Sequence, residues 1–274
     1  MSWLQNLVDR RAQCRKLLRK TVFYALFLGL VSGIAVSQTA SRRRIASVDL
    51  PEAQFHLGRL AYGGRGGRFF NSYWAIDYPD AERHFLPALR RLTGISVAED
   101  SRHLTAMDDR LFDYPFLFAQ QVGQGGWRPT EQEAERLREY LLRGGFLLVD
   151  DIHGEYDWSV FVSAMQQILP GQPVVEIPDD DPLMHVFFDL SDRLQIPGRR
   201  HLMMTRGGEV LARMAGPPYW RGIYDDHDRL IVAVNYNIDM GDAWEHADDY
   251  YYPVPMTHLA YRLGVNYVIY AMTH

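Results

Sequence analysis

Two acids and a histidine follow a run of apolar residues near the middle of the chain. Asp150, Asp151 and His153 come directly after Phe146–Val149. A carboxylate and an imidazole can together bind a divalent metal ion or shuttle a proton. If the strand ends at Val149, a turn brings Asp151 and His153 together, whereas in a continuing strand Asp150 and Asp151 point to opposite faces. The structural alternative is that the acids cap a nearby helix or pair with arginines.

A second candidate group is a glycine-rich segment beside arginines. Gly63–Gly67 has the pattern GGxGG with Arg65 at its centre, and Arg59 precedes it. Backbone N–H groups, such as those of Gly64 and Gly66, can bind an anion together with guanidinium groups. The segment lacks the Gly-Lys-Ser/Thr ending of a P-loop and the spacing of a dinucleotide-binding fingerprint. We predict a ligand-binding role for it, with a flexible turn as the alternative.

A third polar group follows the apolar run Leu230–Val234. Its members are Asn235, Asn237, Asp239, Asp242, Trp244 and Glu245. Amides, acids and an indole next to a strand end suit a polar or sugar-like ligand. Asn and Asp are also common turn formers. The remaining histidines show no metal-binding spacing and are expected on the surface or in packing positions, and the motifs HExxH and GxSxG are absent from the sequence.

The hydrophobic pattern places the first group at the end of a strand in an α/β domain. Thr130 and Glu133 have the spacing of a capping box, and apolar residues then recur at helical spacing up to Leu141. Gly144–Gly145 can end that helix. The apolar run that follows is typical of a strand buried on both faces of a parallel sheet.

The same alternation of helix and strand extends along the rest of the chain. We predict strands at 57–62, 116–119, 174–177 and 230–234, helices around 85–92, 158–169 and 255–272, and an irregular stretch with a hairpin at 178–218. Pro87 should kink or break the first helix. The fold class predicted is α/β: a flavodoxin-like, doubly wound, mostly parallel sheet with helices on both faces.

The N-terminal residues differ from the rest of the 274-residue chain. Six basic residues lie between Arg10 and Lys20, and an uncharged apolar stretch follows at residues 21–36. This order predicts a signal peptide cleaved before Gln38, which we favour, or an uncleaved inner-membrane anchor. We therefore divide the chain into a signal or anchor (1–40), a linker (41–53) and an α/β domain (54–274). The predicted location is exported, periplasmic or membrane-anchored, with membrane contact only through residues 21–36.

Charge and cysteine content exclude several function classes. The chain has 29 basic and 34 acidic residues, and removing the first 37 residues leaves 23 against 33, a charge of −10. Such an acidic body argues against nucleic-acid binding, because phosphate contacts need clustered Lys and Arg. Cys14 is the only cysteine. The domain therefore has no thiolate nucleophile and no cysteine-ligated zinc.

The order of several sequence pieces resembles the bacterial family called domain of unknown function 4159. The resemblance covers about residues 54–272, and the pieces that carry it are Tyr114–Phe118, Glu131–Gly145, Phe146–Asp151, Asp181–His185, Phe188–Leu190, Gly222–Tyr224, Leu230–Asn235 and Gly241–Glu245. The resemblance implies a class I glutamine amidotransferase-like fold, and some members carry membrane segments.

Enzymes of that fold place a cysteine at a sharp turn after a central strand, so the absence of cysteine from this domain excludes cysteine-dependent amidotransfer. Residues 144–153 are also similar to a trehalose-utilisation-type branch of the fold, which raises carbohydrate binding as a function.

Two hypotheses for the function remain open. The first is a non-enzymatic domain that acts as a binding or assembly component at the bacterial cell envelope, with other envelope proteins as partners. The alternative is a metal-assisted hydrolase or carbohydrate-active enzyme that uses Asp150, Asp151 and His153, with a divalent metal, held by Asp151 and His153, as its cofactor.

Overall fold

A seven-stranded sheet forms the centre of the computed structural model, which describes residues 53–63, 72–190, 193–206 and 209–274. The strands of this sheet are β1 (Leu57–Leu60), β2 (Arg102–Leu104), β3 (Phe116–Gln120), β4 (Phe146–Ile152), β5 (Val175–Glu176), β8 (Tyr219–Tyr224) and β9 (Leu230–Tyr236). A separate antiparallel hairpin consists of β6 (Leu202–Met204) and β7 (Val210–Ala212). It lies inside the stretch for which the sequence predicts irregular structure with a hairpin.

The sheet is mostly parallel, and its strand order is β2-β1-β3-β4-β9-β8-β5. Strands β2, β1, β3, β4 and β9 are parallel to one another. Only β8 runs antiparallel, both to β9 and to β5. The five contiguous parallel strands follow the order 2-1-3-4-5 of flavodoxin-like sheets, which bind ligands beyond the carboxyl ends of their strands. The predicted doubly wound, mostly parallel α/β fold is confirmed.

Helices cover both faces of the sheet. They are α1 (Asp80–Thr93), α2 (Glu131–Leu142), α3 (Gly154–Ile168), α4 (Pro182–His185), α5 (Met240–Glu245) and α6 (Val254–Thr273). Phe146 and Leu148 of β4 belong to the core that α1, α4, α5 and α6 share. Because successive strand residues alternate, Leu147 and Val149 face the other side, where α2 and α3 pack against each other.

The predicted helix–glycine–strand unit forms as the sequence indicates. The Glu133 N–H donates to Thr130 Oγ1 at 3.3 Å, and the Thr130 N–H donates to Glu133 Oε2 at 2.8 Å, which completes the capping box. Gly144 has φ +108°, and the Gly145 N–H returns to the Tyr140 carbonyl at 2.9 Å. This C-terminal turn leads the chain directly into β4.

Helix α1 continues through Pro87, so the break that the sequence allows at this position does not occur. Both Pro87 and Arg83, whose carbonyl loses its helical donor, are exposed. Water can therefore satisfy that carbonyl. Gly94, with φ +74°, ends the helix.

The proposed signal or anchor, most of the linker, and Gly64, Arg65 and Gly66 of the glycine-rich segment lie outside the described residues. Within the described ranges, the helices all lack the combination of length and hydropathy that a membrane-spanning helix needs.

Candidate functional site

Unusual backbone conformations concentrate where the parallel strands end. Four non-glycine residues with positive φ lie here: Asp77 (60°), Gln121 (48°), Asp151 (58°) and Asn237 (56°). Gln121 follows β3, Asp151 lies near the end of β4, and Asn237 follows β9. Asp77 reaches the same edge because its carboxylate accepts a hydrogen bond from the Gln120 side chain. Left-handed backbone costs free energy in residues with a Cβ, and such residues cluster at functional sites.

Strand β4 extends past its predicted end at Val149 and then bends. Its pairing with β9 is irregular between Val149 and Ile152, where Asp151 takes its positive φ. This irregularity has the form of a β-bulge, which re-aims one side chain. The two adjacent acids, Asp150 and Asp151, consequently enter two separate networks.

Asp150 is completely buried and holds the start of α5. Its Oδ2 accepts hydrogen bonds from the backbone N–H groups of Met240 and Gly241, at 2.8 and 2.9 Å. Its Oδ1 accepts one from Asn235 Nδ2 at 2.8 Å, and Asn235 Oδ1 accepts one from the Tyr267 hydroxyl at 2.8 Å. Burial raises the pKa of Asp150 to about 7, although its N–H donors act to lower it. Asp150 thus caps a helix, but that helix is α5 rather than the following α3.

Asp151, His153 and Asp239 converge in the second network. One ligand atom from each lies within 4.8 Å of the other two. His153 Nε2 is 2.5 Å from Asp151 Oδ1, with side chains 9% and 1% exposed. These two atoms are not aligned as a hydrogen bond, and among the described residues they have no hydrogen-bond partner; the same holds for His153 Nδ1. We call these three residues the Asp–His–Asp cluster.

Further acids lie near this cluster: Asp77 precedes α1, and Asp242 and Glu245 lie in α5. Burial raises the pKa of Asp77 to about 9, and nearby carboxylates including Asp242 and Asp151 add to the effect. Burial and the neighbouring carboxylates also raise the pKa of Asp239 well above its usual value. Burial raises the pKa of Glu245. Such shifts mark a region where negative charge is unfavourable until a cation neutralises it.

Basic side chains approach the cluster from the segment that follows α4. Arg200 Nη2 lies 4.0 Å from Asp151 Oδ1. The His201 ring centroid lies 5.2 Å from that of His153, and His201 Nδ1 has no hydrogen-bond partner among the described residues. Burial lowers the pKa of His201. This segment therefore places a second imidazole and a guanidinium beside the acids.

The family model for the domain of unknown function DUF4159 matches residues 56–272, which is most of the chain. The chain belongs to the DUF4159 family. No curated protein matches it.

In this DUF4159 domain, several residues of the predicted sites serve the architecture. Arg59 is fully buried; its Nε lies 2.6 Å from Glu82 Oε1, and its Nη1 donates to two backbone carbonyls at 3.0 Å. Trp244 is 2% exposed and stacks on Phe85 at 4.1 Å between ring centroids. Asn235 connects Asp150 to α6. These three side chains contribute to packing, and none of them joins the Asp–His–Asp cluster.

The third predicted group divides between the cluster and its edge. Asp239 belongs to the cluster, and its Oδ1 also accepts from the Asp242 N–H at 3.0 Å. Asn237 accepts from the Gly154 N–H at 3.3 Å and donates to the Pro217 carbonyl at 3.0 Å, so it ties α3 to the segment before β8. Glu245 lies in a more exposed group with Asp242 and His246.

Sequence reasoning missed Asp77, Arg200 and His201. Asp77 has only the signature of a helix start, because it lies just before α1. His201 has no second histidine at metal-binding spacing in the sequence. Nothing in the sequence therefore argues against the prediction that it lies on the surface or in a packing position. Asp77, Arg200 and His201 come near the site because of the path of the chain along the sheet edge. No local sequence pattern predicts that path.

Proposed function

We propose that this DUF4159 protein binds a divalent metal ion at the Asp–His–Asp cluster and uses it to assist hydrolysis of a polar substrate. The observation that carries the proposal is the convergence of two buried carboxylates and a half-buried imidazole, and two of these three side chains have atoms without hydrogen-bond partners among the described residues. Buried polar atoms are normally paired by aligned hydrogen bonds. The 2.5 Å contact between His153 Nε2 and Asp151 Oδ1 is not aligned in this way, and His153 Nδ1 has no partner among the described residues, which favours a bound ligand.

The chemistry of the donor set fits a catalytic metal ion. Two carboxylates and one imidazole suit Zn²⁺ or Mn²⁺. Three protein ligands also leave positions open for water and substrate, as in catalytic zinc sites. When bound, such an ion supplies a hydroxide nucleophile at neutral pH by lowering the pKa of its water. Arg200 is then positioned to contact the substrate, and His201 is positioned to accept a proton.

We further propose that the domain has a class I glutamine amidotransferase-like fold. The parallel strand order and the left-handed backbone of Asp151 near the end of the central strand β4 support this relationship. Chemistry at that bend would use a metal ligand, because the domain has no cysteine to supply a thiolate.

A second candidate function is a non-enzymatic binding or assembly role at the cell envelope. The role of Asp150 favours it, since this acid is used completely in capping α5 and in pairing with Asn235. The envelope location rests on the basic and apolar residues before Gln38. N-terminal sequencing of the protein from membrane and periplasmic fractions tests that location; an uncleaved chain in the cytosolic fraction would contradict it.

Metal titration of the full chain tests the first proposal. After removal of metals with chelator, we expect Mn²⁺ or Zn²⁺ to bind at one ion per chain by calorimetry. An ion at 100 times its Kd stabilises a protein by about 2.7 kcal/mol, which raises Tm by about 5–11 °C for a domain of this size. Asp151→Asn and His153→Gln should abolish the shift. Asp109→Asn, a matched change at a fully exposed acid, should retain it.

Turnover distinguishes the two candidate functions. Nitrophenyl esters, phosphates and glycosides are assayed with and without the metal. Metal-dependent hydrolysis that disappears in Asp151→Asn supports the hydrolase, whereas stoichiometric metal without turnover of any substrate supports the binding role. A protein that neither binds nor responds to these ions refutes the metal site.

A further inference from the structure

An arginine lies among three aromatic rings on β8. The Arg221 Cζ is 4.7 Å from the ring centroid of Trp158, 4.5 Å from that of Tyr219 and 5.3 Å from that of Tyr236. The Trp158 and Tyr236 rings contact each other edge to face, with centroids 5.3 Å apart. All four side chains are half-buried. We call them the arginine–aromatic cluster.

Arg221 differs from the other arginines in the described part of the chain. Those that are buried or half-buried all have a carboxylate or carbonyl partner, as Arg229 does with Asp225 and the Leu141 carbonyl. Within the same ranges, Arg221 has no hydrogen-bond acceptor and no carboxylate within 4.0 Å. Glu176 stands opposite it on β5, yet the two do not form an ion pair. A guanidinium held by ring faces keeps its N–H groups available in one plane.

The arginine–aromatic cluster lies at the same sheet edge as the Asp–His–Asp cluster. Tyr236 is the last residue of β9, and it pairs in register with Ile152, which separates Asp151 from His153. Tyr219 pairs with Tyr236 across β8 and β9. Trp158 lies on α3, the helix that begins directly after His153. Tyr236 and Trp158 therefore lie on elements that also position the proposed metal site, and Tyr219 lies opposite Tyr236.

We propose that Arg221 binds an anionic group, a carboxylate or a phosphate, on the substrate of this protein. That the bound anion belongs to a substrate rests on the proposed function. The anion site itself does not need the metal. Planar guanidinium groups bind both anions through two parallel N–H···O bonds. The aromatic rings hold the guanidinium in place before binding, and no protein carboxylate among the described residues lies within 4.0 Å of it.

The test uses the full chain labelled with ¹⁵N-arginine and free of metal. Phenyl phosphate and benzoate are the probes, and uncharged benzamide is the control ligand. We expect the two anions to shift the Arg221 Nε–Hε resonance, which is assigned by its absence in Arg221→Gln. That variant should bind both anions about 10-fold more weakly or worse, because a charge-assisted hydrogen bond is lost. Arg102→Gln, a matched change at an exposed arginine on β2, should bind them like the wild type.

Two further variants separate this inference from the metal site. Anion binding that persists in Asp151→Asn but is lost in Arg221→Gln supports the inference even if no metal binds. Anion binding that requires metal and ignores Arg221→Gln overturns it. Equal binding of benzamide also overturns it. A third result would also overturn it: the Arg221 resonance of the wild type does not shift with phenyl phosphate, but it shifts in the Glu176→Gln variant. Glu176 would then be the partner of the guanidinium.

Discussion

Asp150 and Asp151 are adjacent in sequence, but their replacement by asparagine should have opposite consequences. Asp150 accepts three N–H donors inside the protein. Asparagine keeps a single acceptor oxygen, so Asp150→Asn leaves one or two buried donors unpaired, at about 1–3 kcal/mol each. We expect a loss of about 2–5 kcal/mol in the free energy of unfolding, and a fall in Tm of about 4–20 °C.

Asp151 accepts no aligned hydrogen bond from the described residues, and it faces other carboxylates. Asp151→Asn should therefore change the free energy of unfolding of the metal-free protein by about 1 kcal/mol or less, since only its weakly aligned contacts are lost. The same substitution should remove metal binding, whereas Asp150→Asn should retain it if the domain is still folded at the assay temperature.

Urea denaturation of both variants in chelator, followed by circular dichroism and by tryptophan fluorescence, measures the difference. Coincident transitions and equal m-values are required for the comparison. The reasoning is refuted if Asp150→Asn unfolds within 1 kcal/mol of the wild type, or if Asp151→Asn is as damaging as Asp150→Asn.

Three other predictions follow from buried groups. The folded-state pKa of Asp77 is about 9, above its usual 3.8, so the metal-free protein should lose stability as pH rises between these values, by at most about 1.4 kcal/mol per pH unit. Asp77→Asn should therefore flatten the plot of urea midpoint against pH between pH 5 and 8. Parallel plots for the variant and the wild type would contradict this. Arg59→Leu should destabilise by about 3–5 kcal/mol because it leaves Glu82 buried without its partner, and adding Glu82→Leu should recover part of the loss in the same denaturation assay. Gly264→Ala places a Cβ 2.6 Å from Trp244 Cζ2, so we expect a loss of about 1–3 kcal/mol; an unchanged Tm would show that the ring moves aside freely.

The sequence predicts the parts of the fold that depend on local patterns. The capping box at Thr130, the glycine stop and the apolar run of β4 each have a short-range physical cause. The location of ligating residues at the end of β4 follows from a general property of parallel sheets. A six-residue helix such as α5 gives too few apolar positions for periodicity, so the polar sequence at 235–245 resembles a loop.

The composition of the site depends on long-range contacts. Asp239 reaches Asp151 and His153 only because β9 lies next to β4 in the sheet, and that adjacency is not encoded in either segment alone. Arg59 illustrates the opposite problem. Its position before a glycine-rich segment indicates anion binding, while the fold buries it against Glu82 on α1, and nothing near it in sequence identifies that partner.

The four left-handed residues at the strand ends also set a limit on engineering. Glycine adopts this backbone freely, so replacing Asn237 or Gln121 by glycine offers a simple way to relax the chain locally. At Asn237 the change also deletes the amide that joins α3 to the segment before β8, and at Asp151 it deletes a proposed ligand. A heat-resistant form of the domain would therefore have to gain its rigidity far from this edge, for instance on the outward sides of α2 and α6.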